Sequence, residues 1–362
     1  MTVPVSTRLI PLPGVSGEEF AAWRRLAARA VEPNPFFEAD FILATVHRAG
    51  ARGAQLLVVE SGDDWIACLP VRRRGAAPLG ALQSWSDEYC FLGTPLIDRD
   101  FVEVAVEQLF GGAQERQPLL VLNRLGVDGP IATRVQELLD SSSYKLVLER
   151  RFERAGIMRR SDDQQLELSS KERSERRRLQ RRLQDEVGAE VGVRDRSGSP
   201  QAIEEFLRLE AGSWKGKSGT ALASQPADEK FFREICTAFA DAGRLRVLEL
   251  SQDGGTPLAL SCDLLAGDTV FCFKTAFDEE RRRNAPGIQL FYANLDDFFE
   301  SRSERILDSC AAEDSPLMNK LLPDRRRLAT MVIGPSGARG TIARGAARAV
   351  AGMHARRRAR AA

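Results

Sequence analysis

The chain has 362 residues, of which 43% are hydrophobic and 28% are charged, and its formal net charge is +1. This length favours two domains with cores of their own, and the small net charge excludes a global field that would attract nucleic acid. The basic residues are instead concentrated around 171–182 and in 339–360.

The six cysteines show no Cys-x-x-Cys spacing, and most of them lie in apolar runs, where a free thiol is a small core residue. This pattern favours a reducing compartment and predicts neither a zinc site nor a disulfide framework. Residues 1–14 show no signal-peptide pattern, and no apolar run reaches the roughly 18 residues of a membrane span. We therefore expect a cytoplasmic protein without a metal.

The first half of the chain predicts two helices, a hairpin and further alternating elements. The hairpin turns at Gly62-Asp63, a dipeptide typical of tight turns. In chain order, the elements are helices over 17–30 and 36–48, strands over 55–60, 65–71 and 82–92, a helix over 101–110, a strand over 119–123, a helix over 131–139 and a strand over 144–151.

An arginine-rich helix is predicted in the middle of the chain. Ser169 and Glu172 have the spacing of a capping box, which starts a helix that runs to about Val187. Between Lys171 and Glu186 there are seven Lys/Arg and four Asp/Glu residues. Such a composition is typical of a solvated helix with salt bridges, and we interpret it as a link between two halves.

The second half predicts the element order β-α-α-β-β-β-α-β-α-β, which the first half nearly repeats. We therefore expect an α/β (α+β) fold of two tandem units, each with a mixed, mainly antiparallel sheet flanked by helices. The predicted boundaries are 1–165 for the first unit, 166–188 for the linking helix, 189–335 for the second unit and 336–362 for a basic tail.

Two helices, a three-strand antiparallel meander, a helix and a parallel strand form the element order of the GNAT acyltransferase fold. Several motifs strengthen the likeness: Asn34-Pro35-Phe36-Phe37, Gly93-Thr94-Pro95-Leu96-Ile97-Asp98, Phe206 to Lys215, Phe273-Lys274-Thr275-Ala276-Phe277-Asp278, Ala285-Pro286-Gly287 and Asp308-Ser309-Cys310-Ala311. With them, residues 30–333 resemble the CelD-like acetyltransferases of bacterial polysaccharide synthesis. That family is similar in turn to the Fem-type aminoacyl transferases, which also pair two GNAT-like units.

The resemblance implies that acetyl-CoA or another acyl-CoA donates an acyl group to an amine or hydroxyl of a small-molecule acceptor. A sugar or a cell-envelope precursor is the implied acceptor, and the second unit would hold the active site. We expect the first unit not to bind CoA, because its connection from Gly93 to Arg99 contains Asp98 and no positive run before Arg99. The usual pyrophosphate loop of the fold reads Arg/Gln-x-x-Gly-x-Gly/Ala, whereas this chain has one glycine and a proline, which lacks a backbone donor. The residues expected to bind the cofactor are Arg281, Arg282, Arg283, Asn284 and Gly287.

Three residues are candidates for the chemistry. Lys274 ends an apolar run and either contacts an anionic or substrate group or extends to solvent as a strand-terminal lysine. Asp278 is either a base or the cap of a loop, and Asp308 either orients the acceptor or bonds a loop. The two histidines, His47 and His354, do not fit a Ser-His-Asp arrangement.

Five further residues are candidates for binding the acceptor. Each also has an ordinary structural interpretation, such as a packing tryptophan or a solvated lysine. They are Glu210, Trp214, Lys215, Asn319 and Lys320.

Two other functions stay open at this point. One is Fem-type aminoacyl transfer from tRNA, although the arginine-rich segment is a single helix without an antiparallel partner in sequence. The other is a non-catalytic GNAT-like scaffold in polysaccharide synthesis. The tail from Ser336 to Ala362 has seven arginines and no acid, so it is either a peripheral membrane contact or a disordered segment.

Overall fold

The computed structural model describes residues 4–45, 48, 53–75, 80–141, 144–165, 168–252, 255–301 and 303–336. Residues 337–362 of the basic tail and both histidines lie outside the described residues. The chain forms two compact units, one of residues 1–46, 50–154 and 326–362, and one of residues 47–49 and 155–325.

Helices and strands alternate along the first half of the chain. In order they are β1 (Val5–Pro11), the 3₁₀ helix η1 (Leu12–Gly14), α1 (Gly17–Arg29), η2 (Pro35–Phe37), α2 (Ala39–Thr45), β2 (Ala54–Ser61), β3 (Asp64–Arg74), β4 (Ala81–Ser84), β5 (Leu96–Ile97), α3 (Val102–Gln114), β6 (Leu119–Gly126), α4 (Pro130–Ser141) and β7 (Tyr144–Met158).

The second half continues the alternation. Its elements are α5 (Ser170–Val187), β8 (Val191–Asp195), α6 (Pro200–Gly212), α7 (Trp214–Lys217), η3 (Leu222–Ser224), α8 (Pro226–Asp241), β9 (Leu245–Gln252), β10 (Pro257–Ala266), β11 (Thr269–Phe277), η4 (Glu279–Asn284), α9 (Pro286–Glu300), β12 (Ile306–Asp308), α10 (Pro316–Leu321) and β13 (Asp324–Pro335).

In the first unit, strands β1, β2, β3 and β4 are antiparallel neighbours, and β4 is parallel to β6. The strand next to β6 is β13, which pairs antiparallel from Leu328 opposite Gly126 to Ile333 opposite Leu120. The sequence placed this last strand in the second unit. That prediction differs from the structure because a strand's own residues do not specify which edge it joins.

The second unit has the same plan. Strands β8, β9, β10 and β11 are antiparallel neighbours, and β11 is parallel to β12. On its other side β12 pairs antiparallel with residues 156–158 at the end of β7. The predicted mixed, mainly antiparallel sheet with flanking helices is therefore present in both units.

Helix α5 belongs to the second unit and is not a separate link. Its predicted capping box is formed, because Ser169 Oγ accepts from the Glu172 backbone N–H and the Glu172 carboxylate accepts from the Ser169 backbone N–H. Leu183 is fully buried in a cluster with Val191 and Leu290, so this side of the helix packs on the second unit. Burial of an apolar side chain explains why the helix stays with that unit.

Helices cover both faces of the second unit's sheet. On one face α6 and α8 pack through Phe206 and Phe232, and the Phe232 ring stacks on Phe273 of β11 at 6.4 Å between centroids. On the other face α9 buries Leu290 and Leu295 against the sheet. The sheet thus separates an α6/α8 side from an α9 side, and this division decides which candidate residues can meet.

Candidate functional site

The sheet of the second unit opens where β11 and β12 part. These strands pair only over Thr269–Phe271 and Ile306–Asp308, whereas β11 continues to Phe277 with β10 on its other side. After Asp308 the chain turns away through Cys310, whose φ of 51° lies in the left-handed region. Among the described residues, no strand pairs with the β12-facing side of β11 beyond Phe271.

A bulge in β11 lies at this opening. Cys262 of β10 is opposite Lys274 and Leu264 is opposite Phe271, so β11 has one residue more than β10 between these pairs. Bulges of this kind bend a strand and redirect its side chains. Here the bulge comes directly after the last residue that pairs with β12.

Lys274 lies on the α6/α8 side of the sheet. Its cross-strand partner Cys262 is fully buried, and cross-strand partners project from the same face. Burial and the Cys236 thiol of α8 raise the pKa of Cys262 well above its usual range, and the Glu210 carboxylate acts in the same direction. Lys274, a candidate for the chemistry, therefore lies on the same side of the sheet as Glu210, a candidate for binding the acceptor.

Glu210 is an internal brace at the end of α6. Only 2% exposed, it accepts a hydrogen bond of 2.9 Å from Lys215 Nζ and one of 2.8 Å from the Leu222 backbone N–H. Trp214, between the two charged residues in sequence, is 56% exposed. The structure thus holds Lys215 in an ion pair and presents the Trp214 ring at the surface.

The two aspartate candidates have local bonding roles. Asp308 is fully buried, and its Oδ1 accepts a 3.0 Å hydrogen bond from the Cys310 backbone N–H, which supports the left-handed turn. Asp278 caps η4, accepting from the Glu280 N–H at 3.0 Å, and it forms an ion pair with Arg281. Of these two, Asp308 is the one at the point where the strands part.

Helix α9 begins beside this opening with few free main-chain donors. Ala285 precedes it in the left-handed region (φ 49°, ψ 52°), and Pro286 has no N–H. The N–H groups of Ile288 and Gln289 both donate to the Ala285 carbonyl, at 3.0 and 3.1 Å. In the first turn of α9, the N–H of Gly287 is therefore the backbone donor that has no backbone acceptor among the described residues.

Gly287 is a glycine because of packing. A Cβ at this position would lie 3.1 Å from Cδ1 of the Phe277 ring, closer than ordinary contacts. The absence of a side chain lets the start of α9 approach the end of β11.

The four other residues expected to bind the cofactor divide into two groups. Arg281 is paired with Asp278, and the Asn284 side chain donates to Glu186 of α5, so both hold η4 in place. Arg282 and Arg283 are exposed, and Arg282 has only a long 3.4 Å contact with Glu279. The positive charge available to a ligand at this helix start thus comes from Arg282 and Arg283.

Asn319 and Lys320 lie on the opposite side of the sheet from Glu210. Met318 and Leu321 of their helix, α10, pack with the cluster that α9 forms on the sheet. The Asn319 side chain donates to the Glu313 carbonyl at 2.9 Å. The hydrogen bonds from Ser169 lower the pKa of the Glu172 carboxyl, and the charge of Lys320 adds a smaller effect in the same direction. The structure therefore does not bring the five acceptor candidates into one cluster. The sequence analysis could not show this, because the spacing of motifs does not tell which side of the sheet a helix packs on.

A buried polar group under α9 was missed by the sequence analysis. Asp263 is 1% exposed, and burial raises its pKa to about 7. Its Oδ2 accepts a 2.5 Å hydrogen bond from Asn294 Nδ2, and both lie on the α9 side of the sheet. The sequence feature that could have indicated this group is a charged residue, Asp263, inside the apolar run of β10.

Among the described residues of the first unit, the parallel strands do not part in this way. Its parallel pair runs from Ala81 opposite Leu119 to Gln83 opposite Val121, and the next residues stay bonded across the strands. Ser84 Oγ accepts from the Asn123 N–H at 2.8 Å, and Asn123 Nδ2 donates to the Ser84 carbonyl at 2.9 Å. Side chains thus join β4 and β6 of the first unit at the position equivalent to the one where β11 and β12 of the second unit separate.

In the part of the chain that the structure describes, no group of His, Cys, Asp and Glu is arranged to hold a metal ion. Over the same residues, no helix combines the length and apolar character that crossing a membrane requires.

Comparison with known proteins assigns the fold. Residues 170–314 match the model of a family described as an acetyltransferase (GNAT) domain. This range contains α5 and the opening between β11 and β12, so the second unit has the GNAT-type acyltransferase fold. No curated protein matched the chain.

Three solved structures share the fold at low identity. FemX has 10% identity and a TM-score of 0.58, over 86% of this chain and 95% of FemX. The C-terminal domain of a putative lysylphosphatidylglycerol synthetase from Agrobacterium fabrum has 13% identity and a TM-score of 0.55, over 90% and 94%. The L-PGS of Bacillus licheniformis has 12% identity and a TM-score of 0.53, over 90% and 93%.

Proposed function

We propose that the second unit transfers an acyl group from an acyl-CoA thioester, acetyl-CoA in the simplest case, to an amine or hydroxyl. The observation that carries this proposal is the separation of β11 from β12 after Phe271 and Asp308, beside the start of α9. An extended thioester chain inserted there would lie along the edge of β11 from which β12 has parted, much as a further strand would. The phosphates of the donor would then lie by Gly287, Arg282 and Arg283.

Acyl transfer at such a site depends mainly on positioning. The acceptor nitrogen or oxygen attacks the thioester carbon, the carbon–sulfur bond breaks, CoA leaves as the thiolate, and the acceptor loses a proton that ends on the thiolate or in solvent. Holding both reactants in place accounts for roughly 7–11 kcal/mol of the barrier, and a general base adds about 10²–10⁴-fold in rate. This chemistry therefore does not require a histidine.

Lys274 and Asp308 are the two catalytic candidates nearest the opening. The Lys274 ammonium is three residues beyond the last parallel pair, where positive charge would stabilise the developing oxyanion of the thioester. Asp308, at the end of β12, would fix the turn that borders the acceptor. Asp278 is the cap of η4 and would act only by holding the arginine loop.

The acceptor would approach from the α6/α8 side. Glu210 and Lys215 fix the loop that carries the exposed Trp214, and an indole ring exposed in this way suits a sugar face. The resemblance to CelD-like proteins adds a sugar or cell-envelope precursor as the acceptor, in the cytoplasm. The bonded strands of the first unit support the expectation that it does not bind CoA.

Two measurements on the full chain test this proposal. Calorimetry with acetyl-CoA, longer acyl-CoAs and free CoA measures donor binding, and release of free thiol with amino sugars and sugars as acceptors measures transfer. The proposal expects saturable binding of acyl-CoA and acceptor-dependent thiol release. Absence of both contradicts it, whereas membrane association without CoA binding would favour the scaffold function.

Aminoacyl transfer from tRNA is the second candidate, and the exposed side of α5 favours it. Arg177, Arg181 and Arg182 are exposed on this helix, which Glu186 ties to η4. A basic surface beside the donor site would suit a polyanionic donor. Titration with bulk tRNA between 50 and 200 mM salt tests it: affinity that falls steeply with salt, together with no acyl-CoA binding, would replace the first proposal.

A further inference from the structure

Ser261 and Asp263 form a polar stripe on the α9 side of β10. They are two residues apart on a strand that alternates regularly here, because the extra residue of the bulge belongs to β11. Both are buried, at 4% and 1% exposure, between hydrophobic residues of the sheet and α9. Neither position is needed for the core, where apolar side chains would pack at lower cost.

Charged and polar groups face Asp263 from every element packed around it. Asn294 of α9 donates to Asp263 Oδ2, and Arg246 of β9 is its cross-strand neighbour. Arg246 in turn pairs with Asp297 of α9, at 3.0 Å, and with Glu304 in the connection to β12. From β11, the Cys272 thiol lies close enough for Asp263, after burial, to raise the pKa of that thiol.

Several buried atoms of this group have no partner among the described protein atoms. They are Ser261 Oγ, Asp263 Oδ1, Asn294 Oδ1, Arg246 Nη1 and Glu304 Oε2. Buried polar atoms in native proteins are almost always hydrogen-bonded, to protein or to ordered water. One water can donate to two acceptors and accept from a hydroxyl, so water is the ligand that these atoms suit.

The polar stripe reaches the opening through one cross-strand pair. Ser261 is opposite Thr275 of β11, which is exposed and lies on the stretch of β11 beyond its pairing with β12. Asp263, Ser261 and Thr275 therefore form a polar line on the α9 side of the sheet, from the interior of the unit to the gap between β11 and β12. An acceptor that approaches from the α6/α8 side would meet this line only at that gap, where the donor thioester would lie.

We propose that Asp263 receives, through water held with Ser261 and Thr275, the proton that the acceptor loses during acyl transfer. This inference rests on the proposed function and adds a proton route to it. The carboxylate takes up one proton as the acceptor–carbon bond forms and the carbon–sulfur bond breaks, and CoA leaves as the thiolate. The proton then passes to the thiolate or to solvent, so charge and atoms balance without a further reactant.

The protonation behaviour of Asp263 suits this role. Burial raises its pKa to about 7, against the lowering effect of Arg246 and the Asn294 hydrogen bond. A base that titrates near the working pH is ionised in a useful fraction of molecules and still accepts a proton readily. Asp263 would act through water and Ser261, so it is a positioning residue and does not contact the substrate.

The pH dependence of thiol release from acetyl-CoA, with water as the acceptor, tests the route. We expect the wild-type rate to rise about tenfold per pH unit below pH 7 and to level off above it. Asp263→Asn should lower the constant rate above pH 7 about 10²-fold and should remove the rising limb, which is the part of the pH–rate curve below pH 7. Ser261→Ala should lower the constant rate but keep the rising limb. Asp296→Asn, on the same helix as Asn294 but paired with Arg176 at the surface, is the matched control and should behave as wild type.

A titration of the carboxyl separates this inference from the proposed function. In protein labelled with ¹³C at aspartate carboxyls, one signal should titrate near pH 7 and be absent in Asp263→Asn. A signal for Asp263 that titrates below pH 5, or an Asp263→Asn enzyme that keeps the limb, overturns the route. A wild type that neither binds nor cleaves acetyl-CoA overturns the proposed function and the route with it, even if the carboxyl titrates near pH 7.

Discussion

Phe271 and Asp308 form the last pair of the parallel ladder between β11 and β12. Beyond them β11 continues past its bulge to Lys274 and Phe277, while the segment after β12 turns away at Cys310. The chemistry inferred for this protein depends on that separation, because it leaves one strand edge open beside the start of α9.

Replacement of Lys274 should reduce transfer without unfolding the protein. Lys274→Ala removes positive charge near the expected thioester oxygen, and loss of one such group costs about 10²-fold in kcat. Steady-state thiol release with acetyl-CoA, with thermal unfolding in parallel, measures both effects. Lys320→Ala, an exposed lysine on the other side of the sheet, is the control, and equal turnover in the two variants would remove Lys274 from the site.

Arg282 and Arg283 should dominate the affinity for CoA phosphates. Each charge-assisted hydrogen bond contributes about 1.5–3 kcal/mol, so the double change to alanine should weaken acyl-CoA binding by more than about tenfold. The loss should shrink as salt rises, since both side chains are exposed. Calorimetry with free CoA checks this, with Arg178→Ala, whose arginine pairs with Glu175 at 2.6 Å on the surface, as the control. Unchanged affinity in the double variant would place the phosphates elsewhere.

Glu210 should be important for stability as well as for the acceptor loop. Glu210→Gln weakens a buried carboxylate's bonds to Lys215 and to the Leu222 N–H, at a cost of about 1.5–3 kcal/mol in the free energy of unfolding. On the same helix, Glu204 pairs with Arg233 at the surface, and Glu204→Gln should cost less than about 1 kcal/mol. Denaturant titration compares the two, and equal losses would show that burial of Glu210 does not strengthen its bonds.

The stability of the protein should carry a pH signature from Asp263. Its pKa is raised from an ordinary value of 3.8 to about 7, so the folded state binds more protons than the unfolded state between these values. The free energy of unfolding due to this group therefore falls as pH rises from about 4 to about 7 and is constant above. Asp263→Asn should remove that fall when denaturant titrations at pH 5, 6, 7 and 8 are compared with wild type. A difference between the two proteins that stays constant with pH would contradict the assignment.

Local sequence patterns predicted most helices and strands, because apolar periodicity and caps are local. The capping box at Ser169 and the meander from β9 to β11 are examples. The strand predicted over 82–92 is shorter, since Asp87 Oδ1 accepts from the Tyr89 and Cys90 N–H groups and holds a loop there. Strand β1 was not predicted, because its side chains are mostly partly exposed and give no apolar run.

The candidate site was only partly accessible to sequence reasoning. Motifs identified Lys274 and Asp308, which lie near the opening, as candidates, but they gave no information on which side of the sheet a helix packs. Asn319 and Lys320 were therefore grouped with Glu210 as acceptor candidates, although their helix, α10, packs with α9 on the other side of the sheet. The pairing of β13 with β6 and the buried partners of Asp263 could not be predicted either, because contacts between residues far apart in sequence determine both.

Donor binding is the most direct test of the account. Calorimetric titration of the full chain with acetyl-CoA should give saturable heat with one site per chain, and the affinity should fall by more than about tenfold when Arg282 and Arg283 are both alanine. A titration without saturable heat up to millimolar acetyl-CoA, or an affinity unchanged in the double variant, would contradict a donor site between β11 and β12.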